Sequence, residues 1–212
     1  MHATWKMDRT RILTLDESKR VLADLRRRGR RSINSRQNCV IFRLATFAGL
    51  RASEIAGLRI GHLHLGIERP FIQLPKAICK GNKARRVPLD WDAQTCSDLT
   101  AWRDERRAGG AKKSDHFVCM LAKGLHGQPL SRFCVRDRFR TACRCLGSDR
   151  LEGLTVHHGR HTFVSVALHV GRSVAAVRDA AGHSNLGTTN IYAHLIDDDN
   201  AHIPDLLPLN GE

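Results

Sequence analysis

The sequence predicts an α+β fold that is mainly α-helical, a helical domain holding one small antiparallel β-sheet or hairpin. Three observations point there. A chain of 212 residues with 42% apolar side chains is enough for one ordinary core. Apolar residues recur at helical spacing on both sides of the middle of the chain. Strand-like alternation is confined to residues 70–89.

Thr14 and Glu17 form a capping-box pair, and Leu15, Val21, Leu22 and Leu25 supply the apolar stripe of a first helix ending near Gly29. A second helix is expected over about 35–49, on Val40, Leu44, Phe47 and Ala48, with Arg36 and Arg43 off that face and Gly49 as the breaker. Ser53, Glu54, Ile55, Ala56 and Leu58 predict a short third helix starting just after Arg51. Phe71–Leu74 and residues 85–89 read as strands around the turn Lys80-Gly81-Asn82-Lys83, with His62 and His64 upstream on a strand or turn without chemistry. Helical periods return at 95–107, 131–146, 157–170 and Val174–Ala181, separated by Gly109-Gly110 and the loop 124–129. One run stands out: Arg26, Arg27, Arg28, Arg30 and Arg31 are either a solvated face or an arm that tracks phosphates.

Composition excludes several classes. The longest apolar stretches, such as residues 44–50 between Arg43 and Arg51, fall short of the roughly 18–20 residues of a membrane span, so no membrane partner is expected. Residues 1–31 contain no apolar run followed by small residues, which argues against an export signal and for a cytoplasmic protein. Seven cysteines without a C-x-x-C pair read as reduced thiols, Cys143 and Cys145 included. Charge is more informative: 35 Lys and Arg against 21 Asp and Glu give a formal +14. Every lysine and arginine precedes Ala193, while residues 193–212 hold Asp197, Asp198, Asp199, Asp205 and Glu212. A body so basic attracts a polyanion over long range, and nucleic acid is the expected partner.

Four separated segments carry the chemistry: Gly49-Leu50-Arg51-Ala52-Ser53-Glu54, Lys80-Gly81-Asn82-Lys83, His157-His158-Gly159-Arg160-His161, and Gly182-His183-Ser184 with Tyr192 nine residues after its histidine. In this order they resemble the catalytic domain of the tyrosine recombinases, the phage integrase family. That pattern is an arginine in G-L-R-x-S-E, a lysine on a β-hairpin turn, H-x-x-R-H, then G-H-S and a tyrosine. The resemblance runs over residues 12–195, and the stretch 186–194 around Tyr192 follows it closely.

The resemblance implies catalytic roles for Arg51, Lys80, His157, Arg160, His183 and Tyr192, and the residue types suit that chemistry. Metal-free cleavage of a phosphodiester needs cations on the non-bridging oxygens, an in-line nucleophile, and a proton for the leaving sugar oxygen. Arg51 and Arg160 offer permanently charged planar forks for the phosphate. Tyr192 is the only tyrosine in the chain, so a phenolic nucleophile has one candidate. By resemblance, Lys80 is the general acid for the 5′ oxygen, His157 an acid/base group near the tyrosine, and His183 a phosphate hydrogen-bond donor. Glu54 supports Arg51 through an ion pair. A zinc site on His157, His158 and His161 is the weaker reading, because no carboxylate or thiolate sits at a matching offset.

The implied activity is site-specific DNA recombination through a 3′-phosphotyrosyl intermediate, serving integration, inversion or excision of mobile DNA. It needs no metal and no cofactor; a phosphate-binding loop for ATP is absent from the sequence. Implied partners are double-stranded DNA, a homo-oligomer (a tetramer on paired sites) and an accessory DNA-bending protein, with a cytoplasmic, nucleoid-associated location. A catalytically silent DNA-binding remnant and a topoisomerase are the alternatives. The organisation expected is a basic extension over residues 1–11, the catalytic domain over 12–195 without the family's N-terminal DNA-clamping domain, and an acidic, apolar tail over 196–212.

Two departures from the family pattern set further expectations. Val156 and Gly159 replace the usual Pro and Leu, and Gly159 is expected to loosen its helix by about 1 kcal/mol relative to Ala. Ala180-Ala181 replaces a bulkier Leu pair, which is expected to leave the helix carrying Tyr192 less firmly packed.

Overall fold

The structure is a computed structural model that describes residues 12–183; the expected extension (1–11), the tail and Tyr192 lie outside the described residues. Helix α1 (Leu15–Gly29) opens with the capping box, Glu17 N–H donating to Thr14 Oγ1 at 3.1 Å and Thr14 N–H to Glu17 Oε2 at 2.8 Å. Its stripe Leu15, Val21, Leu22 and Leu25 is buried, each such side chain contributing roughly 1.5–3 kcal/mol.

Helix α2 (Ile33–Thr46), capped by Ser32, is the hub against which α1 and the later helices over residues 93–108, 132–142 and 156–169 pack. It ends three residues before Gly49, since the chain wraps left-handedly there: Gly49 has φ +64° and Leu50 N–H donates to Leu44 O at 2.9 Å. Only glycine fits, because a Cβ at Gly49 would lie 2.3 Å from the Phe163 ring. The tight turn delivers Arg51 to the cap of α3 (Ala52–Gly57). Arg43 differs from expectation: its side chain is buried, held by Asp98 at 2.8 Å and Asp92 at 3.1 Å, and its guanidinium lies 5.0 Å from the Phe47 ring centroid.

Strands β1 (Leu63–His64), β2 (Phe71–Leu74) and β3 (Arg85–Pro88) form an antiparallel sheet in that order, so the expected hairpin gains a third strand. Ile72 pairs with Val87 and Leu74 with Arg85, and Ile72, Leu74 and Val87 face the core. On the outer face His64 stacks on Phe71 at 4.4 Å and Arg86 covers the same ring at 4.6 Å.

Helices α4 (Ala93–Ala108), α5 (Arg132–Ala142), α6 (Ser148–Gly153), α7 (Val156–His169) and α8 (Val174–Ala181) complete the described chain. The helix expected to 146 stops at Ala142, passes through a 3₁₀ turn over Arg144–Leu146, and breaks at Gly147 with φ +92°. Periodicity gave no sign of the short α6 that follows.

Gly159 reverses its expectation. It is the point where α7 crosses α2, and a Cβ there would lie 2.9 Å from Thr46 Oγ1 and 3.2 Å from both Ala45 Cβ and Phe139 Cε2. The missing side chain brings the two helices together, and the propensity loss is offset by that contact. Gly159→Ala is therefore predicted to lower stability. Overpacking costs about 1–3 kcal/mol against a propensity gain of about 1 kcal/mol, so the urea midpoint should fall.

Candidate active site

The end of α8 organises the site. Gly182 has φ +65°, and its N–H donates to Asp179 O while His183 N–H donates to Arg178 O, both at 3.1 Å, the paired bonds of a Schellman turn. Helix ends leave carbonyls without intrahelical partners, and here three successive ones take three arginines. Arg85 Nε donates to Ala180 O at 2.9 Å, Arg160 Nη2 to Ala181 O, and Arg51 Nη2 to Gly182 O at 3.0 Å. Arg160 Nη1 also donates to Gly49 O, tying α7 to the turn that precedes Arg51. Ala180 and Ala181 are themselves buried. What this does for Tyr192 lies outside the described residues.

Glu54 sits beneath this array with no exposed surface. It accepts from Arg51 N–H at 2.8 Å and Arg51 Nη1 at 3.0 Å, which is the expected ion pair. It also takes both ends of the Arg85 guanidinium, at 2.7 and 2.8 Å. Burial alone would push this carboxyl up; hydrogen bonds and charge from Arg85, then Arg51, overcome it and hold the group below the usual carboxylate range.

Sequence reasoning missed Arg85. The signal was present: Arg85 and Val87 alternate on β3 and buried Leu89, just past its end, keeps the same phase, so Arg85 occupies the phase of a buried residue. A Cβ at Gly182 would meet Arg85 Cδ at 2.8 Å, which makes Gly182 part of the same fit.

Arg51, Lys80 and His183 line one groove of about 750 Å³, together with Arg85, Arg86 and Arg178. Lys80 is exposed at the hairpin turn, where Gly81 (φ +77°) and Asn82 (φ +53°) reverse the chain. His157 stands at the solvent edge of α7, one turn before the buried Arg160. Desolvation, then the charges of Arg136, Arg160, Arg51 and Lys80, push its pKa down. His183 is pushed down to about 4 by burial and by Arg160, Arg51, His161 and Arg85. Both imidazoles are thus neutral near pH 7. His158 is used differently, its Nδ1 accepting from Thr155 N–H at 3.1 Å to cap α7. Among the described residues, no group of three His, Cys, Asp or Glu side chains is arranged to hold a metal ion.

Residues 11–198 match the phage integrase family. The chain is 32% identical over 162 residues to tyrosine recombinase XerC of Stutzerimonas stutzeri, covering 76% of this chain and 49% of that protein. It is 30% identical over 184 residues to tyrosine recombinase XerD of Staphylococcus aureus, covering 87% and 58%. The chain spans about half the length of the curated relatives it matches. Among solved structures, the pre-cleavage complex of XerH site-specific recombinase with its difH substrate has a TM-score of 0.68 at 23% identity, covering 89% of this chain and 51% of that one. XerA recombinase gives 0.69 at 20% identity, covering 92% and 64%. At these identities the likeness is one of fold.

The charges of the site make two variants informative. Arg85→Met leaves a buried carboxylate with one arginine in place of two, and should lower unfolding stability by about 3 kcal/mol in urea titration. Adding Glu54→Gln, which removes the charge, should recover part of that loss. For His183 the folded pKa lies below its ordinary 6.5, so as pH falls the unfolded chain takes the proton first. The stability this represents is present above pH 6.5 and is lost toward pH 4. Between pH 7 and about 4.5 the melting temperature should therefore fall less in His183→Gln than in the wild type.

Proposed function

Because the chain belongs to the phage integrase family, we propose that it is a site-specific DNA recombinase, cutting and rejoining strands of double-stranded DNA through a 3′-phosphotyrosyl link to Tyr192. The observation that carries this reading is the shared anchorage of Arg51 and Arg160 on consecutive carbonyls at the C-terminal cap of α8, beside the groove that Lys80 and His183 enter. Guanidiniums so fixed are oriented before any phosphate arrives, so their stabilisation of the extra charge in the transition state needs little reorganisation.

Arg51 and Arg160 hold the non-bridging oxygens of the scissile phosphate, with His183 donating a further hydrogen bond. The Tyr192 phenol attacks phosphorus and passes its proton to His157, whose depressed pKa keeps it neutral and able to accept. As the tyrosyl–phosphorus bond forms, the bond to the 5′ oxygen breaks, and the Lys80 ammonium gives that oxygen its proton. The ester to Tyr192 conserves the energy of the broken bond, so the 5′ hydroxyl of a partner strand reverses the step without ATP or metal. Exchange between partners requires paired sites, for which a tetramer is the proposed assembly.

A covalent-capture experiment tests this with the target sequence still unidentified. Genomic DNA of the source organism is incubated with wild type or Tyr192→Phe, the mixture is denatured, and DNA still attached to protein is sequenced. Discrete fragments held through their 3′ ends with wild type, and absent with Tyr192→Phe, are expected. Salt-sensitive binding with no covalent product would overturn catalysis and leave a DNA-binding remnant.

A further inference from the structure

We propose that the arginine-lined groove between the C-terminal end of α1, the N-terminal end of α2 and the C-terminal end of α5 is a second site for the sugar-phosphate backbone of double-stranded DNA, separate from the catalytic groove. It has a volume of about 700 Å³ and is lined by Arg27, Arg28, Arg30, Arg31 and Arg144, the rest of the lining being serine, asparagine and threonine. Among the described residues, no acidic, aliphatic or aromatic side chain lines it.

The arginines are not explained by folding alone. Arg27 and Arg28 share Asp24, at 2.7 and 2.6 Å, and with Arg26 they suit the negative end of α1. Arg30 and Arg31 come after that helix, and Arg144 comes from another element. All three are exposed and have no carboxylate partner among the described residues. Converging them on one groove raises their mutual repulsion, which a polyanion relieves. The Ser32-capped start of α2 adds its positive end at the same place.

The lining selects among anions. With no aromatic ring in its lining and five guanidiniums, the groove favours phosphates over nucleobases. It is also continuous with the proposed catalytic surface. Arg132, Arg136 and Arg140 are exposed at four-residue intervals along α5, and Arg144 follows at the same interval. Arg136 is near enough for its charge to act on His157, so this row of arginines passes close to a proposed catalytic residue and its last member lines the second groove. Along α2 the two are one helix apart: 14 residues, or about 21 Å at ~1.5 Å per residue. A duplex advances that far in about six base pairs at ~3.4 Å each, so one DNA segment is long enough to reach both.

The inference rests on the DNA partner proposed above, and its test reads binding and not cleavage. Full-length protein is titrated with a random-sequence duplex of about 40 base pairs over a range of salt. The variants are Arg30→Gln/Arg31→Gln/Arg144→Gln and a control with the same charge change, Arg107→Gln/Lys112→Gln/Lys113→Gln, on exposed positions elsewhere. The groove variant is expected to bind at least tenfold more weakly near physiological salt, with the log–log salt slope shallower by about 2–3, while the control stays near wild type. Equal loss in both triples would reduce the effect to net charge and overturn the site. A loss confined to single-stranded polyuridine RNA would overturn the duplex assignment. If wild type captures DNA on Tyr192 and the groove variant binds duplex unchanged, this inference alone fails; if wild type binds no duplex, both readings fail. Should the triple variant not fold, Arg144→Gln alone is expected to lower the slope by about 1.

Discussion

Everything at the candidate site depends on how the end of α8 is closed. A helix terminus normally leaves its last carbonyls to water or to a capping glycine. Here the glycine turn is present, and the carbonyls of Ala180, Ala181 and Gly182 are further taken by Arg85, Arg160 and Arg51, from β3, α7 and the α2–α3 turn. Three distant parts of the chain are thereby held against one helix end. Three cations at the negative pole of a helix are electrostatically reasonable. Three guanidiniums in one place would still repel one another without Glu54, whose two oxygens serve Arg51 and Arg85 together.

This arrangement sets the chemical character of the groove. Cations anchored on carbonyls are oriented in the unliganded protein, and burial first, then the field of the surrounding cations, holds the pKa of His157 and His183 down. A phosphate entering the groove brings the opposite sign and offsets the cations' share of that shift while burial keeps its own, so ligand charge and histidine protonation are coupled. Membership of the phage integrase family points to the reaction class proposed above; the coupling is what this set of residues contributes to it.

The same logic recurs elsewhere. Arg43, buried in the last turn of α2, is tolerated because Asp92, Asp98 and the face of Phe47 surround it. Arg30, Arg31 and Arg144 have no such carboxylates among the described residues, and they are the cations that converge on a solvent groove. Whether an arginine is a structural strut or a contact for an outside anion depends on the carboxylates and carbonyls that the fold brings within reach, and sequence position does not reveal them.

The sequence by itself determined most of the elements and the family from which the chemistry is proposed. The capping box at Thr14 and Glu17, the boundaries of α8, the paired strands around Lys80, and the ordered arginine, lysine and histidine segments were legible because they depend on near neighbours and fixed spacing. Boundaries slipped where a remote contact decided them: α2 stops early because Gly49 must pass under Phe163, and the end of α5 turns on Gly147. Gly159 was misjudged for the same reason, since propensity is a property of one helix and its value here is a contact between two. Arg85 was visible only as an arginine in a buried phase, with no local hint of Glu54 or Ala180. Tertiary structure alone decided which cations meet, because convergence depends on how helices cross, and no spacing along the chain encodes it.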